Sequence, residues 1–113
     1  HVLLFSRAYA RHTGFEKAEP FLRHVHEAQP KADLFCGWGD RGAYAVGADG
    51  KILHAPAFPP PKVIDTLGAG DVFNAGVIDG SARELPIENV LTEASKLAGR
   101  KCGRYGLAGL VAT

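Results

Sequence analysis

Two acids bracket a glycine-rich stretch of this chain, Asp65-Thr66-Leu67-Gly68-Ala69-Gly70-Asp71. The apolar, small-residue run Val72-Phe73-Asn74-Ala75-Gly76-Val77-Ile78 follows at once. Gly68 and Gly70 leave backbone N–H groups uncrowded by side chains. With a helix starting near Asp71, those N–H groups and the helix dipole converge on one point, and an anion is stabilised there. A carboxylate beside an anion hole is poorly suited to hold the anion. It is better placed to take a proton from whatever attacks that anion. Spacing alone leaves a plainer reading open, in which the acid caps a helix and the glycines only allow close packing. The stretch is not a Walker A loop, since Gly-x-x-x-x-Gly-Lys-Ser/Thr is absent, and it does not complete Gly-x-Gly-x-x-Gly.

The flanking pattern supplies the elements that must position this loop. Val2 to Phe5 reads as a short buried strand, and Ser6 as the N-cap of a helical turn reaching His12 and ended by Gly14. Phe21, Leu22, Val25 and Ala28 fall at helical spacing, which predicts a helix from about Glu19 to Ala28, with Pro20 in its first turn and Pro30 as its stop. Ala32 to Cys36 is the next strand, followed by the glycine-rich turn Gly37-Trp38-Gly39-Asp40-Arg41-Gly42. Ala43–Val46 and Ile52–His54 form a hairpin through Asp49-Gly50. The proline-rich segment Ala55 to Pro61 is a stiff connector into a short strand at Val63-Ile64. A helix is expected from Asp71 to Asp79, broken by Gly80-Ser81, and another from Pro86 to Cys102 with Ile87, Val90, Leu91, Ala94, Leu97 and Ala98 on its buried stripe. Strands alternating with helices predict an α/β layered fold with a mostly parallel sheet and one hairpin at an edge.

Composition narrows the function classes. At 113 residues the chain is one domain at most, and 46% apolar with 22% charged residues is ordinary for a globular protein. A net charge of +1 with scattered Lys and Arg argues against a nucleic-acid or membrane-surface partner. No run approaches the ~20 apolar residues of a membrane span. Val2 to Phe5 is too short for the apolar part of a signal peptide, so a cytoplasmic location with reduced thiols at Cys36 and Cys102 is expected. His24 and His26 stand two apart, a poor metal pair on a helix, and read as solvated surface histidines. The chain opens inside an apolar run and without Met, which suggests a piece of a longer chain.

Asp65-Thr66-x-Gly68-Ala69-Gly70-Asp71-x-x-x-Ala75-Gly76 resembles the C-terminal signature of the ribokinase-like (PfkB) sugar kinases. Cys36 to Ala43, Gly50 to His54, Ala57 to Pro61 and Ala98 to Gly103 resemble the ketohexokinase branch of that family. The resemblance implies a ribokinase-like layered sandwich and phosphoryl transfer from ATP to a ketohexose, with fructose to fructose 1-phosphate as the expected reaction. It implies that Asp71 is the base that deprotonates the sugar hydroxyl and a sugar contact. A positioned base contributes typically ~10²–10⁴ in rate. The amides of Gly68, Ala69 and Gly70 would form the anion hole for the γ-phosphoryl group. Gly39, Asp40, Arg41 and Gly42 match a nucleotide-binding turn, and Phe73 and Ser95 match positions lining an adenine pocket. For Phe73 a place in the helix core is the competing reading. Asp65 and the carbonyl of Leu67 resemble a potassium site, and Mg²⁺ is implied with the nucleotide.

The resemblance has two departures. Family members commonly carry an acid just after the strand matching Val2–Phe5, where this chain reads Ser6-Arg7-Ala8-Tyr9 without a carboxylate. They also run to more than twice this length. Residues 1–113 therefore match a C-terminal nucleotide-binding part, without the sugar-binding and lid region that precedes it and makes a homodimer. Three readings follow: the ATP side of a sugar kinase, an inactive relative that only binds nucleotide, and a remnant without ligand.

Overall fold

The computed structural model describes residues 1–57 and 69–102, apart from the side chains of Asp40, Ala69, Lys101 and Cys102. Four strands form one sheet in the order β1 (Val2–Ser6), β2 (Asp33–Gly37), β3 (Ala43–Val46) and β4 (Ile52–Ala55). β1 and β2 are parallel, joined by a crossover through α1 (Arg7–His12) and α2 (Ala18–Ala28). The β2–β3 and β3–β4 pairs are antiparallel, so the expected edge hairpin is present and one of the three described pairings is parallel. The expected strand at Val63-Ile64 lies outside the described residues.

The local signals act as their chemistry requires. The Ser6 hydroxyl accepts a hydrogen bond from the Tyr9 N–H at 3.1 Å and caps α1. At the hairpin, Asp49 Oδ1 accepts from the Lys51 N–H at 3.0 Å, and Gly50 takes a φ of 77°.

Strict alternation along the strands splits the core into two layers. Leu3, Phe5, Leu34, Cys36, Tyr44 and Val46 face α1 and α2, where Ala10, Ala18, Phe21 and Leu22 are buried. The ring of Phe21 meets Phe5, Phe15 and Tyr9 edge-on. Leu4, Phe35, Ala43, Ala45, Leu53 and Ala55 face α3 (Ala69–Ala82) and α4 (Ile87–Cys102), which close the other side through Phe73, Val77, Val90, Leu91 and Ala94.

One expectation fails. Gly80-Ser81 does not break the helix after Asp71, and α3 continues through both residues to Ala82. The reason is tertiary: Gly80 is buried, and a Cβ there would stand 3.1 Å from Val90 Cγ2. Packing on α4 outweighs the ~1 kcal/mol by which glycine disfavours a helix. Among the described residues no helix is long and apolar enough to cross a membrane.

Candidate functional site

The parallel strands β1 and β2 end in register, Ser6 beside Gly37. Three segments meet outside those carboxyl ends. They are the start of α1 at Arg7, the turn after β2, and α3, which touches both strands. Ligands of open α/β sheets sit in just such a crevice. Phe73, in the first turns of α3, links two of the segments: its Cδ2 is 3.9 Å from where a Cβ on Gly37 would be. It is buried in the core with Phe35 and Ala94, so the helix-core role read for it is realised.

Gly39–Arg41 forms a 3-10 turn held at both ends. The Trp38 N–H donates to the Gly42 carbonyl at 2.7 Å, and the Arg41 and Gly42 N–H groups donate back to Trp38 and Gly39. Those amides are consumed inside the turn. Gly39 at φ 61° and Gly42 at φ 91° adopt the left-handed region that favours glycine. Gly42 is also sterically required, since a Cβ would stand 2.1 Å from the Ala55 carbonyl oxygen. His54 Nε2–H donates to the Arg41 carbonyl at 2.7 Å, which fixes its tautomer, and its ring stacks on Tyr44 with centroids 4.4 Å apart. The turn is thus braced against the hairpin, while the Arg41 side chain stays exposed.

α3 begins at Ala69, two residues before the expected start, so Ala69, Gly70 and Asp71 all lie in its first turn. The first four N–H groups of a helix have no intrahelical acceptor. Gly70 and Asp71 are exposed. A Cβ added to Gly70 would meet nothing within 4 Å among the described residues, and its φ is not left-handed. Neither the backbone nor packing among the described residues demands glycine there.

Ser95 lies on α4, 6% exposed, and its Oγ has no hydrogen-bond partner among the described residues. Buried hydroxyls are nearly always paired, so an orphan one marks a polar demand. Gly68, Asp65 and Leu67 lie outside the described residues. Among those described, no group of three or more His, Cys, Asp or Glu side chains could hold a metal ion.

Other polar groups depart from the sequence reading. His26 is half-buried rather than solvated; its Nδ1 is buried without a described partner. It lines a cavity of about 190 Å³ with Arg23, Glu27, Val46 and Gly50, away from the carboxyl edge. Cys36 is a free thiol, and burial pushes its pKa up to about 12. The Arg7 guanidinium lies against Gly39, a proximity that depends on tertiary structure and leaves no sequence signal.

The pfkB family carbohydrate kinase model matches residues 10–112. The chain belongs to that family. This PfkB-family chain is 44% identical to ketohexokinase of Mus musculus over 111 residues, 97% of its own length and 37% of the relative's. It therefore spans just over a third of that relative. The fold is that of the ribokinases. A Cryptococcus neoformans ribokinase in complex with ADP superposes with a TM-score of 0.81 at 18% identity, covering 97% of this chain and 40% of the other. An Arabidopsis thaliana ribokinase complexed with ribose and ATP gives 0.79 at 23% identity, covering 93% and 35%.

Proposed function

We propose that this chain is the nucleotide-binding part of a sugar kinase that transfers the γ-phosphoryl group of ATP to a ketohexose, fructose to fructose 1-phosphate. The observation that carries the proposal is the exposed first turn of α3, where Asp71 adjoins Gly70 and no described residue stands within 4 Å of a Cβ placed on Gly70.

In this reading the polyphosphate runs from the Gly39–Gly42 turn toward the N-terminus of α3. The amides of Gly68, Ala69 and Gly70 face the equatorial oxygens of the transferring group. Removing one such donor costs typically about 10²–10³ in rate. The Asp71 carboxylate accepts the proton of the sugar hydroxyl as its oxygen bonds to the γ-phosphorus. The bond from that phosphorus to the β-bridging oxygen breaks, and ADP leaves. Such transfer asks mainly for positioning and charge stabilisation. Asp40 and Arg41 would flank the nucleotide, and the orphan Ser95 hydroxyl, with Phe73 behind it, would serve the adenine side. Mg²⁺ binds through substrate phosphates, waters and one or two carboxylates. It would enter with ATP, and no step above relies on a protein-held cluster. A potassium site at Asp65 and the Leu67 carbonyl belongs to the same proposal, as do a cytoplasmic location and a homodimer built by the remainder of the protein.

The share of the ketohexokinase relative that is matched, 37%, favours a second reading for the chain by itself: nucleotide binding without turnover, because most sugar contacts lie elsewhere. The test is Asp71→Ala in the intact protein. Sugar phosphorylation should fall by at least about a thousandfold while ATP affinity stays within about threefold. Near-normal turnover would remove Asp71 as the base.

A further inference from the structure

We propose that His54 is a positioning residue for nucleotide binding, an inference that rests on the nucleotide reading above. His54 stands on β4, directly across the ladder from Tyr44 of β3. It lies outside the Gly39–Arg41 turn and acts on it through one bond: the Arg41 carbonyl accepts from His54 Nε2–H at 2.7 Å, across 13 positions of sequence. Tyr44 aims that donor, since the two rings stack with centroids 4.4 Å apart and planes 28° from parallel. A second tie is steric. A Cβ on Gly42 would stand 2.1 Å from the Ala55 carbonyl oxygen and 2.8 Å from the Ala57 nitrogen. Both ties fasten the turn to the same short stretch, residues 54–57.

The hydrogen bond does what the steric tie cannot. The Arg41 carbonyl and the Gly42 N–H belong to one peptide group, and that N–H donates to the Gly39 carbonyl at 3.0 Å. The chain from His54 through this peptide to Gly39 therefore polarises the very amide that closes the turn, and fixes the plane of its peptide. A 3-10 turn has poor hydrogen-bond geometry of its own, and Gly39 and Gly42 both sit at positive φ, where glycine is conformationally free. Without the His54 donor, the turn would have to be ordered when the nucleotide binds, and affinity falls by that cost.

The test is calorimetric titration of ADP into the intact protein and its His54→Phe, His54→Asn and His54→Gln variants, each checked for native melting, with KM measured for ATP and for sugar. Phe keeps a ring on Tyr44 but has no donor, and the amide of Asn falls short of the Nε2 position. Both should weaken ADP binding, and raise KM for ATP, about three- to tenfold, with KM for sugar within about twofold. Gln loses the ring but places an amide N–H near Nε2, and should restore ADP affinity to within about twofold. An equal loss in His54→Gln, unchanged ADP affinity in a folded Phe or Asn variant, or parallel rises in both KM values would overturn the proposal and leave the nucleotide reading intact. So would failure of both donor-free variants to fold, which would make His54 a stability residue. If the unaltered protein bound no ADP, both would fall together.

Discussion

Two stretches of α3 use glycine for opposite purposes. In its middle, a Cβ on Gly76 would lie 3.0 Å from Ala94 Cα and 3.1 Å from Ala94 Cβ, and Gly80 presses on Val90 in the same way. These glycines let two helices approach until backbone nearly meets side chain. At its start, a Cβ on Gly70 would meet no described residue within 4 Å, beside exposed Asp71. The same helix is thus locked to α4 along one stretch and exposed at its N-terminal turn. The difference teaches how the site is built. Close packing on α4 fixes the axis of α3, and with it the position of the exposed turn that carries Gly70 and Asp71.

That contrast can be broken at either end. Gly70→Val should leave unfolding free energy within about 0.5 kcal/mol, as for other exposed substitutions. It should lower sugar phosphorylation by the intact protein about a hundredfold or more, because the side chain fills the approach to the anion hole. Urea melts together with initial rates decide it, and a stability loss without a rate loss would make Gly70 structural. Gly76→Val should do the reverse. Overpacking against Ala94 should cost about 1–3 kcal/mol in urea unfolding, with ATP affinity unchanged at temperatures where the variant is folded.

A smaller effect sharpens the comparison from the opposite face of the sheet. Burial holds the Cys36 thiol at a pKa of about 12 against an ordinary 9.0. The unfolded chain therefore releases this proton first. The contribution of Cys36 is fully present below pH 9 and falls as pH rises from there toward 12. Iodoacetamide at pH 8 should label Cys36 in urea and leave it unlabelled in the native protein, a contrast read by mass spectrometry.

Much of this was legible in the sequence because its signals are local. Ser6 as a cap, Asp49-Gly50 as a hairpin turn and the α4 stripe at Val90, Leu91 and Ala94 each follow from a few adjacent residues. The acid-glycine motif also marked a helix start near Asp71, and the helix begins two residues earlier, at Ala69. What was illegible depends on tertiary approach. Gly80 looked like a helix break because its partner Val90 is ten positions away and its packing cannot be read from propensity. Arg7 carried no signal, since its guanidinium meets Gly39 only after β1 and β2 pair. His26 looked solvated because the hairpin at Gly50 that covers it belongs to another element.

The central claim is that the carboxyl edge of β1 and β2, closed by the exposed turn of α3, binds a nucleoside polyphosphate. Titration of ATP into this chain, followed by calorimetry and by its thermal midpoint, tests that claim directly. Saturable binding with a rise in the midpoint is expected for the unaltered chain, and a weaker response for Gly70→Val. An unchanged midpoint and no heat of binding at millimolar ATP would contradict it.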